Sequence, residues 1–348
     1  MQTARFTVSS ALRSAIGGLV VLVALVLPGL WGAAALWFDG GSGWRGPLLG
    51  VLFALIIAGL LLFARPFRYA ALATLLLTGL VMIWWFSLKP SHTRDWLEDV
   101  SRLPRAQVHG SLLIIENVRN FRYRGKDEGD RKADYEAHWE TRTYDMDKIV
   151  GLDIFTSDWG APFIVHTILS WRFADGPPLA ISIETRKEKT ESYSAVAGFF
   201  RQYELYYVAA DERDVIGVRA AHRDEMVHLY QLGGRPGSAR RLLDGYVADM
   251  NAIADIPRWY NALITNCTTV TFDIIEQVLG ISKLWDWRIY ANRQLPRLMY
   301  EEGVINTSLP PAELKRISDI TARVIAAEDA VDFSQRIRIG LPPPPPTP

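Results

Sequence analysis

One thiol and a few imidazoles define the chemistry open to this chain. Cys267 is the only cysteine among 348 residues, beside six histidines. It lies in the run Tyr260-Asn-Ala-Leu-Ile-Thr-Asn-Cys-Thr-Thr-Val270, after which Val270, Ile274, Ile275, Val278 and Leu279 recur at helical spacing as far as a stop at Gly280. The helix therefore begins at the cysteine. Asn266, Thr268 or Thr269 can cap it, leaving free amide N–H groups around the sulfur, and the positive end of the helix dipole favours thiolate over thiol. A small buried residue is the ordinary reading of a lone cysteine, so a nucleophile requires a partner histidine.

That partner is offered by residues 161–186. Phe163, Val165, Thr167, Leu169 and Trp171 alternate with Ile164, His166, Ile168, Ser170 and Arg172. After Ala174-Asp-Gly-Pro177 the alternation resumes, with Leu179, Ile181 and Ile183 against Ala180, Ser182 and Glu184. Matching the apolar faces, Trp171 to Leu179 and Leu169 to Ile181, puts Glu184 directly across a hairpin from His166 on the same face. Taken alone, His166 reads as a strand histidine hydrogen-bonded in place. Taken with Cys267, the set fits thiol acyl chemistry. His166 takes the thiol proton, and Glu184 (or Ser182, or an aspartate such as Asp153) orients the ring. Cys267 attacks an ester or amide carbonyl, and its own N–H with a donor such as Asn266 holds the oxyanion. The spacing His222-x-x-Glu225-x-x-His228 does not match a zinc helix, and neither metal nor cofactor is expected.

The elements that must carry these groups follow a membrane part. Ser14 to Phe38, Pro47 to Ala64 and Tyr69 to Leu88 are apolar runs without a charged residue, each long enough to cross a bilayer. The first exceeds the apolar core of a cleaved signal and is expected to remain attached. Arg5 and Arg13 precede it, Arg65 and Arg68 separate the second from the third, and only Arg45 lies between the first and second. The positive-inside rule then places the amino terminus in the cytoplasm and everything after Leu88 outside, with Trp84, Trp85 and Phe86 as an interfacial belt. A multi-pass protein of a bacterial inner membrane, with an extracytoplasmic carboxy-terminal domain, is the expectation, and the bilayer is its first partner. Lys and Arg together number 38, as do Asp and Glu, and no basic run appears. A nucleic-acid partner is therefore not expected, and one cysteine excludes an internal disulfide.

Residues 1–88 thus read as a membrane domain, 89–338 as an extracytoplasmic domain and 339–348 as a proline-rich tail that cannot be helical. Within the second, 89–105 suggests a short amphipathic helix ended by Pro104, and Ser111 to Asn117 and Val118 to Tyr123 suggest strands. Gly125 to Ala137 reads as a surface loop, Ser194 to Val208 as a helix followed by a strand, and Val215 to Arg219 and Val227 to Leu232 as strands. Ala239 to Ile256 is an amphipathic helix stopped by Pro257, and Ala312 to Phe333 another helix. Trp285, Trp287, Tyr290 and Leu298 form an aromatic stripe whose ordinary role is packing.

Four runs carry a family resemblance: His-x-x-Leu-Ser-x-x-Phe at His166, Ile-Ser-Ile-Glu-Thr-Arg-Lys-Glu at Ile181, Phe-Arg-x-Tyr-Glu-Leu at Phe200 and Tyr-Asn-x-Leu-x-Thr-Asn-Cys-Thr-Thr at Tyr260. Together they resemble the Lnb-type periplasmic domain over roughly Leu88 to Arg338. The order His then Asn-Cys at a helix start is also similar to circularly permuted papain-like folds, including the lecithin:retinol acyltransferase and NlpC/P60 groups. The resemblance implies an α+β domain with an antiparallel sheet and a cysteine-bearing helix. It implies a Cys267 nucleophile and a His166 base in an acyl-transfer or hydrolytic site, with Glu184 as candidate third member. Its family is named for a lipoprotein acyltransferase, which points to lipoprotein or phospholipid substrates. The chain departs from that enzyme in placing its spans before the soluble domain. The alternatives are a cell-wall amidase or peptidase using the same residues, or a non-catalytic envelope module in which Cys267 and His166 only pack.

Overall fold

Residues 10–126, 134–235 and 237–346 are described by the computed structural model. Arg5, part of the charged loop expected at 125–137 (residues 127–133) and the last two residues of the tail lie outside them. The chain forms two compact units: residues 1–90 with 194–202, and residues 91–193 with 203–348.

In the first unit, long runs of Leu, Val, Ile and Ala leave no polar face and form helices apolar all round. They are α1 (Ser10–Val21), a π-helical turn (Leu22–Val26) and α2 (Leu27–Asp39), then α3 (Arg45–Phe63) and α4 (Phe67–Ser87). Three helices, Ala15–Asp39, Arg45–Phe63 and Phe67–Ser87, are long and apolar enough to cross a membrane. Small residues let α2 and α3 approach closely: a Cβ on Gly32 would stand 3.0 Å from the Phe53 ring, and one on Gly29 3.1 Å from Ile57. Residues 194–202 were expected to begin a helix. They make only the 3-10 turn Ala197–Phe199, with Phe200 stacked on Phe38 at 4.9 Å and the Arg201 guanidinium over Trp85.

The second unit is built on an eight-stranded sheet of order β1-β2-β9-β8-β7-β6-β10, with β5 also pairing β2. Its strands are β1 (Arg105–His109), β2 (Leu112–Arg119), β5 (Trp139–Asp145), β6 (Ile149–Asp158), β7 (His166–Phe173), β8 (Leu179–Arg186), β9 (Glu204–Ala210) and β10 (Met226–Leu232); β3 (Arg122–Arg124) and β4 (Asp134–Glu136) form a separate ribbon. Among the described residues all ladder contacts of this sheet are antiparallel except a single parallel pair between β2 and β9. The β7–β8 hairpin has the expected register, Trp171 opposite Leu179 and Leu169 opposite Ile181.

Strand β9 is buried at every position, which requires cover on both faces of the sheet. One face carries Leu169, Trp171, Ile181, Leu205 and Tyr207 against α6 (Ser238–Asp255) and α7 (Cys267–Leu279). The other carries Phe155, Ile168, Tyr206 and Val208 against α5 (Glu212–Gly217), α11 (Thr321–Ala326) and α12 (Phe333–Arg336). The domain is therefore α+β, with helices over both sides of a mainly antiparallel sheet.

Several local expectations are corrected. Where a helix was expected over 89–105 there is only the 3-10 turn Glu98–Val100 before β1 begins at Arg105, because Trp96 instead bridges to Glu188 and lies under the Arg186 guanidinium at 4.3 Å. Val215 to Arg219 is helical, capped by the Asp211 carboxylate, which accepts from the Arg213 N–H, and continuing as a π-helical turn, Val218–His222. The helix expected over 312–333 is broken into α10 (Pro311–Ser318), α11 and α12, because the Ile320 N–H is taken by the Val227 carbonyl of β10. Between Trp285 and Leu298 the structure has a single helical turn, α8 (Trp287–Tyr290), and then α9 (Leu295–Glu301). Leu298 is buried there, but Trp285 is 96% exposed and Trp287 is also exposed, so the stripe does not pack as a whole. Residues 341–346 are not helical, and the Pro343 carbonyl accepts from Asn306 Nδ2 at 3.0 Å.

Candidate active site

Asn266 is the reason a helix starts at the thiol. Its backbone is extended, and its side-chain Oδ1 accepts the N–H groups of Thr268 and Thr269 at 2.9 and 3.0 Å. In return Thr269 Oγ1 accepts the Asn266 N–H at 2.9 Å, closing a capping box. Gly280, at φ 69°, ends the helix in the left-handed conformation. The Asn266 Nδ2 donates one of its two protons to the Ala262 carbonyl at 2.9 Å. Asn266 is thus the cap of the helix through Oδ1, while its second Nδ2 proton has no acceptor among the described residues. With the Val270 N–H on the Asn266 carbonyl, the Cys267 N–H is the one amide of this first turn without an acceptor among the described residues.

His166 opens β7, where the ladder from β8 brings Glu184 opposite. Its Nε2 lies 2.7 Å from Ser182 Oγ and 3.1 Å from Glu184 Oε1, and the Ser182 hydroxyl donates to the same carboxylate oxygen at 2.7 Å. The imidazole and the Cys267 thiol are near enough that each shifts the charge state of the other. The structure therefore brings together Cys267, His166, Ser182 and Glu184. It does not bring Asp153 to the ring: that carboxylate is buried against Arg338 at 2.7 Å and Arg172 at 3.0 Å.

The charges on the dyad follow from this geometry. Burial pushes the Cys267 thiol up, but the neighbouring imidazolium, its hydrogen bond and those from Thr167 outweigh burial and bring the thiol down to about 7. Burial likewise pushes His166 down; the Glu184 carboxylate outweighs it, with Arg219 opposing and Cys267 assisting, and lifts the imidazole to about 9. Glu184 is held well below the ordinary carboxylate range, since His166 and Arg219 more than offset its burial. Both shifts run in the direction that favours a thiolate beside an imidazolium.

Several contributors were not legible in the sequence. Arg219, on the π-helical turn, donates to Glu184 Oε1 at 2.8 Å and to Glu225 Oε2 at 3.0 Å, and the Ser157 hydroxyl also donates to Glu225. Ser157 is the β6 residue directly opposite His166, so the array closes on itself. Tyr193 is pushed up to about 12 and Tyr260 well above its ordinary value, by burial first and then by the nearby Cys267 charge. Tyr260 lies in the cysteine run, and that proximity was the one signal for it. His222, Glu225 and His228 face different partners: Glu328 and the Gly125 carbonyl, then Arg219, then Asp319. Among the described residues no cluster of three His, Cys, Asp or Glu is placed to hold a metal.

Residues 135–295 match the family model of the Lnb N-terminal periplasmic domain, a span that contains Cys267, His166, Ser182 and Glu184. No match was found among curated proteins or among solved structures.

Proposed function

Because the chain carries an Lnb-type periplasmic domain behind three apolar helices, we propose that it is a membrane-anchored thiol acyltransferase or acyl hydrolase. The observation that carries this reading is the Cys267–His166–Glu184 array, with a thiol brought to about 7 beside a buried imidazole. In the first half-reaction the Cys267 thiolate attacks the carbonyl carbon of an acyl ester. The Cys267 N–H receives the oxyanion, and His166 gives its proton to the departing alcohol oxygen as the carbon–oxygen bond breaks. In the second, an amine or water attacks the thioester, His166 removes its proton, and the sulfur leaves as thiolate. Kinship with permuted papain-like enzymes belongs to the same proposal.

An apolar substrate is favoured over a cell-wall peptide by the loops that lead into the dyad. Phe163 is 70% exposed three residues before His166, and Leu263 and Ile264 are exposed just before Cys267. Exposed apolar groups on loops entering a site suit an acyl chain of a lipoprotein or phospholipid. In this reading the helices span the inner membrane with the amino terminus in the cytoplasm, and the domain works on the outer leaflet side. The test is mass spectrometry of membrane lipoproteins and lipids from cells carrying the wild-type chain or Cys267→Ala. One acyl group should change position, or be released, only with the wild type. Identical acyl inventories with a fully expressed wild-type chain would overturn the proposal.

A further inference from the structure

The residues that flank the dyad in the chain are tied to one another by a side chain the mechanism does not use. Asn292, buried in the segment between α8 and α9, accepts the Val165 N–H at 2.7 Å and donates from Nδ2 to the Val165 carbonyl at 2.8 Å. The same Nδ2 donates to Thr268 Oγ1 at 2.6 Å. Val165 immediately precedes His166, and Thr268 immediately follows Cys267. One amide group thus joins the start of the imidazole-bearing strand to the first turn of the thiol-bearing helix.

Both amide protons of Asn292 are committed by these contacts, so Thr268 Oγ1 is the acceptor in their bond and its own proton must point elsewhere. Two acceptors lie within reach: Thr167 Oγ1 at 3.4 Å and Cys267 Sγ at 3.8 Å. Thr167 is among the groups that bring the thiol down, so either path bears on Sγ. We infer that Asn292 is a positioning residue that fixes Cys267 against His166 and, through the Thr268 hydroxyl, turns a hydrogen-bond donor toward the sulfur. The inference rests on the thiol-enzyme reading. It deepens that reading by assigning the part that holds nucleophile and base in register.

The sulfur is also coupled to His166, Arg219 and the phenols of Tyr193, Tyr246 and Tyr260, and Glu184 acts on the imidazole. The test must therefore leave all of these in place. Alkylation of Cys267 by iodoacetamide is followed against pH for the full-length chain in detergent, as wild type, His166→Ala, Asn292→Ala, Thr268→Val and Thr268→Ser. Thr268→Val keeps the volume and the Val165 clamp but removes the hydroxyl, so it remains informative if Asn292→Ala fails to fold. The expected result is an upward shift of the thiol midpoint in Thr268→Val with alkylation near neutral pH slowed roughly threefold to tenfold, recovery in Thr268→Ser, and a larger loss in Asn292→Ala. A wild-type thiol that titrates like a free one, unaffected by His166→Ala, would sink the enzyme reading and this inference with it. A perturbed wild-type thiol that needs His166 but is unchanged in Thr268→Val and Asn292→Ala would overturn this inference alone. So would a Thr268→Val loss that Thr268→Ser does not recover.

Discussion

Glu184→Gln removes one charge while keeping the size of the side chain, and the structure sets how large the effect must be. At 3.1 Å from His166 Nε2, a unit charge pair at an effective dielectric of about 20 is worth roughly 5 kcal/mol. The lift of the imidazole from 6.5 to about 9 corresponds to about 3 kcal/mol. The second figure is smaller because it is net of burial and of Arg219, both of which oppose the lift. Once the carboxylate is gone those two remain, and the imidazole returns to its ordinary value or below. Near pH 7.5 it is then neutral, and the thiol climbs from about 7 back toward 9.0. The thiolate fraction should fall from about three quarters to a few per cent, a roughly 25-fold drop in alkylation rate at that pH. Stopped-flow alkylation across the pH range, with thermal melts as a control for folding, measures it. A variant midpoint still near 7 in a folded protein would refute the argument that Glu184 holds the imidazolium.

Three further outcomes follow from the same geometry. Asn266→Ala removes the acceptor of two first-turn amides, so stability should fall by about 1–2 kcal/mol, seen as a lower Tm, with slower alkylation of Cys267 at neutral pH. Arg338→Ala leaves Asp153 and Glu212 buried without their shared cation, and urea unfolding should show a loss of about 3–5 kcal/mol. The pH dependence has a definite sign. His166, raised on folding, contributes stability that is complete below about 6.5 and lost as pH rises through about 9; Cys267, lowered on folding, contributes above about 9 and loses it as pH falls through about 7. Turnover should therefore trace a bell with limbs near these two values, and a profile still rising beyond about pH 10 would contradict it.

Much of the site could be read from local pattern. Period-two alternation fixed the pairing of Trp171 with Leu179, and the sum of residue numbers along that ladder carries His166 to Glu184. Asn266 before Cys267 and Gly280 after Leu279 marked the ends of α7. What could not be read depends on tertiary surroundings. Val215, Ile216 and Val218 have strand-like side chains, yet they are buried in helical turns capped by Asp211. Strand β6 shows no alternation to detect, since Leu152 to Ser157 are buried without a break. Arg219 and Asn292 meet the dyad only because the chain returns there, from 35 residues beyond Glu184 and 24 residues beyond Thr268.

The His166–Cys267 contact joins strand and helix from distant parts of the chain, and this has a consequence for biogenesis. In the unfolded polypeptide the sulfur has neither an imidazolium neighbour nor a capped helix turn, so it keeps the sluggish reactivity of an ordinary thiol. On the proposed thiol-enzyme reading, folding is thus what arms the nucleophile.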